Sequence, residues 1–340
     1  MARLRYANAF RHVALVSRHG DRFFRWLDVS FFRLIIALSN LFSVERASKL
    51  ADAVGRWLGP RLRRNENVLR NLRLAFPNQD ESWINRTARV IWGRIFSSLA
   101  EYPHLPALAG IGAEPRVEIV THFDLGPAQR GEQRLMMVAI HQANWNVHAI
   151  AGHVAKLKVS VLVVEQANKQ LEPLVAHYRN RMPCGFIDVD AGLRGVLGAL
   201  QQGHHIGTFV DVREETQPLI PFFDYPARTT VWPARLALKL GMALVPVQLE
   251  RLPGARFRAT FHPPVLPDAS LKDPRDAARE MTARLNVQIE QWIRKCPEDW
   301  ICAKRRWPVE TWKRRRDELV ALGRLPDRYR PRTVSPATDQ

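Results

Sequence analysis

Cysteine is scarce in this 340-residue chain: Cys184, Cys296 and Cys302, an odd number with no metal-like or redox spacing. That argues against a disulfide framework and fits a reducing compartment. Acidic residues are also short, 33 against 51 lysines and arginines, which leaves a formal net charge of +18. An excess of that size points to a polyanionic partner: nucleic acid, an anionic membrane surface or an acidic carrier protein. Zinc-finger spacing and RNA-binding signatures are both missing, so no nucleic-acid module is expected. The 10 tryptophans and 15 phenylalanines, close to arginines, suit a membrane interface better. No internal repeat is evident, and no apolar run is both long and free of charge.

That last absence shapes the reading of the first hundred residues. The segment 1–22 is basic, with Arg3, Arg5, Arg11, Arg18 and Arg22, and lacks the uninterrupted apolar core of a signal peptide. Residues 23–110 form a helical, membrane-associating region. Its first part, Phe23 to Val44, is apolar but interrupted by Arg25, Asp28 and Arg33. Charges at a bilayer centre are costly, so an interfacial or tilted helix is expected ahead of a true span. Ser43 can cap a helix to Leu58 that is stopped by Gly59-Pro60, with Ala47, Leu50, Ala51, Val54, Trp57 and Leu58 on one face. A basic helix over residues 61–77 ends at Pro77. A third helix, with Asn78 and Glu81 as a cap pair, runs to about Tyr102.

From about Val117 the pattern alternates strand and helix. Leu135–Ile140, Val159–Val164, Phe186–Val189, Ile206–Val210 and Leu244–Leu249 read as strands, separated by helical stretches at about 144–157, 168–181, 191–202 and 231–241. Single helices between strands imply an α/β fold with a mixed, largely parallel central sheet flanked by helices. Arg256 to Phe261 alternates polar and apolar, as an edge strand would. A last helix covers about Asp276 to Lys295. The α/β domain is placed at 111–310. The tail at 311–340 is basic and, from about Pro326, rich in Pro, Arg, Thr and Ser, which predicts disorder.

The stretch Leu135 to Ile150 is the most informative. A six-residue apolar run breaks abruptly into His141, Gln142, Asn144 and Asn146. A histidine where a buried strand leaves a sheet is well placed to meet a ligand and to act as a general base. His148 is expected on a helix surface. His204 and His205 are adjacent on a strand and face opposite sides, so no metal is assigned.

His-x-x-Asn-Trp after an apolar strand resembles the first motif of the lipid A late acyltransferases, within the lysophospholipid acyltransferase superfamily. His141, Asn144 and Trp145 match, and Asn146 stands where that family has Asp or Glu. The Arg-rich lead with Asn71-Leu72 and Ala75-Phe76-Pro77 is similar to another family segment. Over Gly203–Thr230, Asp211, Pro221, Phe222, Phe223, Pro226, Ala227 and Thr229 match, with Val212 where glutamine is usual and Asp224 where glycine is usual. In Cys296–Pro308, Pro297, Glu298, Trp300, Arg305, Arg306 and Trp307 match, and Lys304 replaces histidine.

The resemblance implies a glycerolphosphate acyltransferase-like fold on the cytoplasmic face of a bacterial inner membrane. It also implies transfer of a fatty acyl chain from a thioester, on acyl carrier protein or coenzyme A, to a hydroxyl of a glycolipid such as a lipid A precursor. The thioester is the co-substrate and no other cofactor is needed. His141 would be the base, Asn146 its orienting partner and Asp211 an electrostatic helper or rescuing carboxylate. An amide can orient the ring but cannot offset the imidazolium charge, and an orienting Asp changed to Asn costs a serine protease about 10⁴-fold in turnover. Asn144 and Trp145 would contact substrate, and Arg179 and Arg181 would hold anionic groups, with a solvated helix face as the alternative. Phe222 and Phe223 would lie against hydrocarbon, with core packing as the alternative. Arg305 and Arg306 would meet lipid phosphate. Two further readings remain: a non-catalytic lipid-binding or scaffold paralogue, and an acyltransferase for a lysophospholipid acceptor.

Overall fold

The computed structural model describes residues 18–112, 114–164, 168–325 and 329. The segment 1–17 and, apart from Tyr329, the tail from Pro326 lie outside the described residues, and so do the expectations for them. Four helices come first: α1 (Arg18–Asn40), α2 (Val44–Leu58), α3 (Asn65–Ala75) and α4 (Glu81–Ala100), followed by the single turn α5 (Leu105–Leu108). The alternating part runs β1 (Val117–Thr121), α6 (Gly126–Gln129), β2 (Leu135–Ala139), α7 (Val147–Val154), β3 (Val159–Val163), α8 (Glu172–Arg179), β4 (Gly185–Asp188), α9 (Gly192–Gln201) and β5 (His205–Phe209). A hairpin, β6 (Leu219–Phe222) and β7 (Tyr225–Arg228), precedes α10 (Trp232–Leu240), β8 (Ala243–Leu252), β9 (Arg256–Phe261), α11 (Pro274–Lys295) and α12 (Val309–Ala321).

Seven strands form one sheet in the order β1-β9-β8-β2-β5-β3-β4, parallel throughout except for the β8–β9 pair. Residues 256–261 are therefore an interior strand, because β1 pairs along the side predicted to be open. Strand β2 lies at the centre and all five of its residues are buried. Its alternate side chains feed two cores: Met136 and Val138 join Ile206 and Leu244 on one face, and Leu135 and Met137 join Val159 and Val245 on the other. That is why this strand reads as a continuous apolar run.

Three local expectations change. Asp80, rather than Asn78, caps α4, its carboxylate accepting from Trp83 N at 2.6 Å. Folded structure continues past residue 310, since α12 buries Trp312 and Leu319 in the main core. The face predicted on α2 divides: Leu50, Val54 and Trp57 are exposed, whereas Ala47 faces inward with the small residues Ser48 and Gly55. Close packing on α4 explains why the inward residues are small: a Cβ on Gly55 would meet the Trp92 carbonyl oxygen and lie 2.9 Å from Phe96 Cβ. On α1, Val29, Ile36 and Ser39 are buried, but Trp26, Phe31, Leu34 and Leu38 are exposed. Among the described residues no helix is long and apolar enough to cross a membrane.

Gly55→Ala should force α2 away from α4 and destabilise the fold by about 1–3 kcal/mol, the usual cost of overpacking. Urea unfolding would show this as a lower midpoint with an unchanged slope.

Candidate active site

Strands β2 and β5 are parallel neighbours with Ala139 opposite Phe209. The ladder closes with Val210 N donating to Ala139 O at 2.9 Å. Two residues beyond that matched pair stand His141 and Asp211. Parallel register alone thus brings residues 70 apart in sequence to one point at the carboxyl end of the sheet. His141 Nδ1 lies 2.8 Å from Asp211 Oδ1. An ionised carboxylate only accepts, so Nδ1 carries the proton and Nε2 is left as the basic nitrogen.

The two side chains differ in burial as an acid–base pair requires. His141 keeps 22% of its side-chain surface, whereas Asp211 keeps 7%. Burial works to raise the Asp211 carboxyl, but the charge of His141, hydrogen bonds from its ring and backbone, and the Arg306 guanidinium outweigh it, so its pKa lies below the ordinary value. Arg306 is buried in turn. Burial pushes its pKa down to about 10 against the pull of Asp211. It donates to Arg228 O and Thr229 Oγ1, both at 2.7 Å, and lies over the Phe222 ring.

His141 opens onto a cavity of about 1450 Å³. Phe209 packs against the imidazole with ring centroids 4.6 Å apart, and Trp145 stands 6.0 Å away. Part of the lining is apolar, from Val161 and Val163 on β3 through Val175, Met182 and Phe186 to Val196 on α9. Another part carries cations: Arg235 and Lys239 on α10, Lys272 just before α11, Arg275 in its first turn, and Lys304. Asp268 and Asp273 lie among them. Tyr102, after α4, and Phe32, on α1, also line this space, so the N-terminal helices form part of its wall.

The predicted site residues divide accordingly. His141, Trp145, Asn146 and Arg179 line the cavity, with Asp211 behind the histidine. Asn146 does not orient the ring: its Nδ2 donates to Asn144 Oδ1 at 3.0 Å, and Asp211 occupies Nδ1 of the histidine. Asn144 is fully buried and bonded to Glu101 at 2.8 Å, so it holds the loop and does not face substrate. Arg179 is paired with Glu172 at 3.1 Å, while Arg181 and Arg305 are exposed and do not line the cavity.

Phe222 and Phe223 are core residues, packed with Trp300 and Trp307. The tight β6–β7 turn rolls them inward; Phe223 and Asp224 have φ of 48° and 62°, a conformation that favours glycine or asparagine. Arg306 is buried in the same layer, over the Phe222 ring. His148 is not a surface residue either, since neither ring nitrogen is reached by solvent. The sequence reading passed over Phe209, Glu101 and the cations of α10 and α11. Spacing of i, i+4 for Arg235 and Lys239 was visible, but nothing local tied them to His141.

The bacterial lipid A biosynthesis acyltransferase family model matches residues 12–308. No curated protein sequence matches the chain.

The histidine behind the dyad gives this site a pH signature. Burial, and then the charge of His141, push His148 down from 6.5 to about 3. The folded state keeps it neutral while the unfolded chain takes up a proton below about 6.5, so stability falls as pH drops from there toward about 3. His148→Leu should make the acid side of a stability–pH curve shallower in that window, with His205 and His262, both lowered to about 4, and the lowered Asp211 carboxyl among the groups that keep a slope there. Urea titrations at a series of pH values would show the change.

Proposed function

The chain belongs to the bacterial lipid A biosynthesis acyltransferase family and is an acyltransferase, and on that premise we propose that it moves a fatty acyl chain from a carrier-bound thioester to a glycolipid hydroxyl, with His141 as base and Asp211 as its carboxylate. The 2.8 Å contact between the two at the cavity wall carries this reading. His141 Nε2 takes the proton of the acceptor hydroxyl as its oxygen attacks the thioester carbonyl. Asp211 fixes the tautomer and offsets the imidazolium charge. When the tetrahedral adduct collapses, the carbon–sulfur bond breaks and the proton passes to the departing thiolate. The products are the ester and the free thiol.

The lining supports the division of substrates. The apolar stretch on β3, α8, β4 and α9 suits hydrocarbon, and the cations of α10 and α11 suit the acidic carrier or the charged head of a glycolipid. The non-catalytic alternative rests on Asn146, Val212 and Lys304, each a departure from the family's motif. A carboxylate reaching the ring from β5 supplies the charge that Asn146 lacks, which favours the active reading.

We further propose that the protein acts on the cytoplasmic face of a bacterial inner membrane without crossing it. The support is the apolar surface left uncovered on α1, α2 and the link between them: Phe31, Leu34, Leu38, Leu41, Leu50 and Trp57. Phe32, on the same helix, lines the cavity, so a lipid surface against α1 would adjoin its entrance.

Acyl transfer from labelled acyl carrier protein to a lipid A precursor in mixed micelles tests the chemistry. His141→Ala should abolish turnover and Asp211→Asn should lower it by up to about 10⁴-fold, by analogy with the serine-protease triad. Asn146→Ala should stay within about tenfold of wild type, since an indirect neighbour has less to lose. Equal losses at Asn146 and Asp211 would return the orienting role to Asn146. For the surface, Leu34→Asp with Leu38→Asp should weaken sedimentation with anionic vesicles more than about tenfold, because each side chain is worth roughly 1.5–3 kcal/mol when buried. Undiminished vesicle binding would exclude α1 as the docking face.

A further inference from the structure

A buried carboxylate is costly unless its lone pairs are all engaged. Glu101, at the C-terminus of α4, is fully buried. Its Oε1 accepts from Ser48 Oγ at 2.6 Å and Arg251 Nη1 at 2.5 Å. Its Oε2 accepts from Arg251 Nη2 and Asn144 Nδ2, both at 2.8 Å. These donors come from three places: α2, β8 and the loop between β2 and α7 that begins with His141. Apolar side chains of similar volume can stabilise a core as well as a buried ion pair does. What the carboxylate adds is direction, and one of its four bonds is directed at the loop of the candidate base.

That loop needs direction. Ala143 has φ of 51°, in the left-handed region that costs an L-residue about 1 kcal/mol or more. The kink is held from both sides: Ala143 N donates to Asp299 O at 2.8 Å and Ala143 O accepts from Ser98 Oγ at 3.0 Å. His141 O, two residues earlier, accepts from Ile301 N at 2.8 Å. Asn144 follows the kink and joins it to Glu101. Its Oδ1 then accepts from the backbone N of Asn146 at 3.2 Å and from the Asn146 side chain at 3.0 Å. The path by which the loop leaves β2 sets where the imidazole lies relative to Asp211, which follows a different strand, β5.

We propose that Glu101 is a positioning residue for His141, acting through Asn144. It fixes the kinked loop so that the ring meets Asp211, and through Ser48 it ties that placement to the seating of α2. The effect on turnover rests on His141 being the base; the placement of the ring does not.

The test uses the full chain and two readouts. Proton NMR of wild type should show a strongly deshielded imidazole N–H resonance that disappears in His141→Ala and in Asp211→Asn. Asn144→Ala, which leaves the Glu101–Arg251 bonds in place, should lose that resonance and lower kcat about tenfold or more, with KM for the acyl donor within about twofold. Adding Asn144→Ala to Asp211→Asn should cause little further loss, because both act through one contact. Asn144→Ser, whose hydroxyl is too short to reach Glu101, provides the same comparison if the alanine variant does not fold. An unchanged resonance in a folded Asn144 variant, or losses that multiply in the double variant, would overturn the proposal. Wild type without acyl transfer would sink the base assignment, while loss of the resonance in Asn144→Ala would still uphold the positioning role.

Discussion

Parallel pairing of β2 with β5 is the constraint from which the rest of this site follows. Matched registers end both strands at the same height, so the residues two steps beyond, His141 and Asp211, arrive as neighbours without any local signal between them. A slip of one residue in either strand would turn its side chains to the opposite face. The register is protected by burial. Met136, Val138 and Ile206 serve one core and Leu135 and Met137 another, so a shifted pairing would have to repack both faces. Stability of the sheet and geometry of the dyad are one property.

Around that pair the polar residues sort by depth. Arg306 lies below Asp211 and helps keep it ionised, while its two terminal nitrogens donate to Arg228 O and Thr229 Oγ1 and its guanidinium lies on Phe222. Glu101, Asn144, Asp299 and Arg251 form the layer that holds the loop, with Asp299 Oδ2 accepting from Arg251 N at 3.2 Å. The groups that face the cavity include the imidazole, Trp145, Asn146, Arg179, Lys304 and the cations of α10 and α11. Several motif residues are therefore supports for chemistry performed one layer above them.

The helical N-terminal part shows a related economy. Small residues on α2 face α4 so that Gly55 and Gly59 press against Trp92, and the large apolar residues are turned outward. The same helices wall the cavity through Phe32 and Tyr102. Packing within the protein and exposure of an apolar face are thus two sides of one helix arrangement, and Glu101 binds that layer to the loop of His141.

Much of this was fixed by order along the chain. Apolar runs of strand length separated by helices require a largely parallel sheet, and an abrupt polar break after such a run marks His141 as a residue at the sheet's carboxyl end. Membership of the acyltransferase family was legible in separated motifs, because motifs are local. Partnership was not. Whether Asn146 or Asp211 meets the imidazole depends on which strand lies beside β2, and sequence spacing says nothing about a neighbour 70 residues away. The burial of Phe222, Phe223, Asn144 and Arg306 was equally hidden, since a motif records which residues are present but not which way a turn rolls them. Local periodicity determined the elements; side-by-side register and the direction of each loop, which arise only when the cores close, decided which residues form the site.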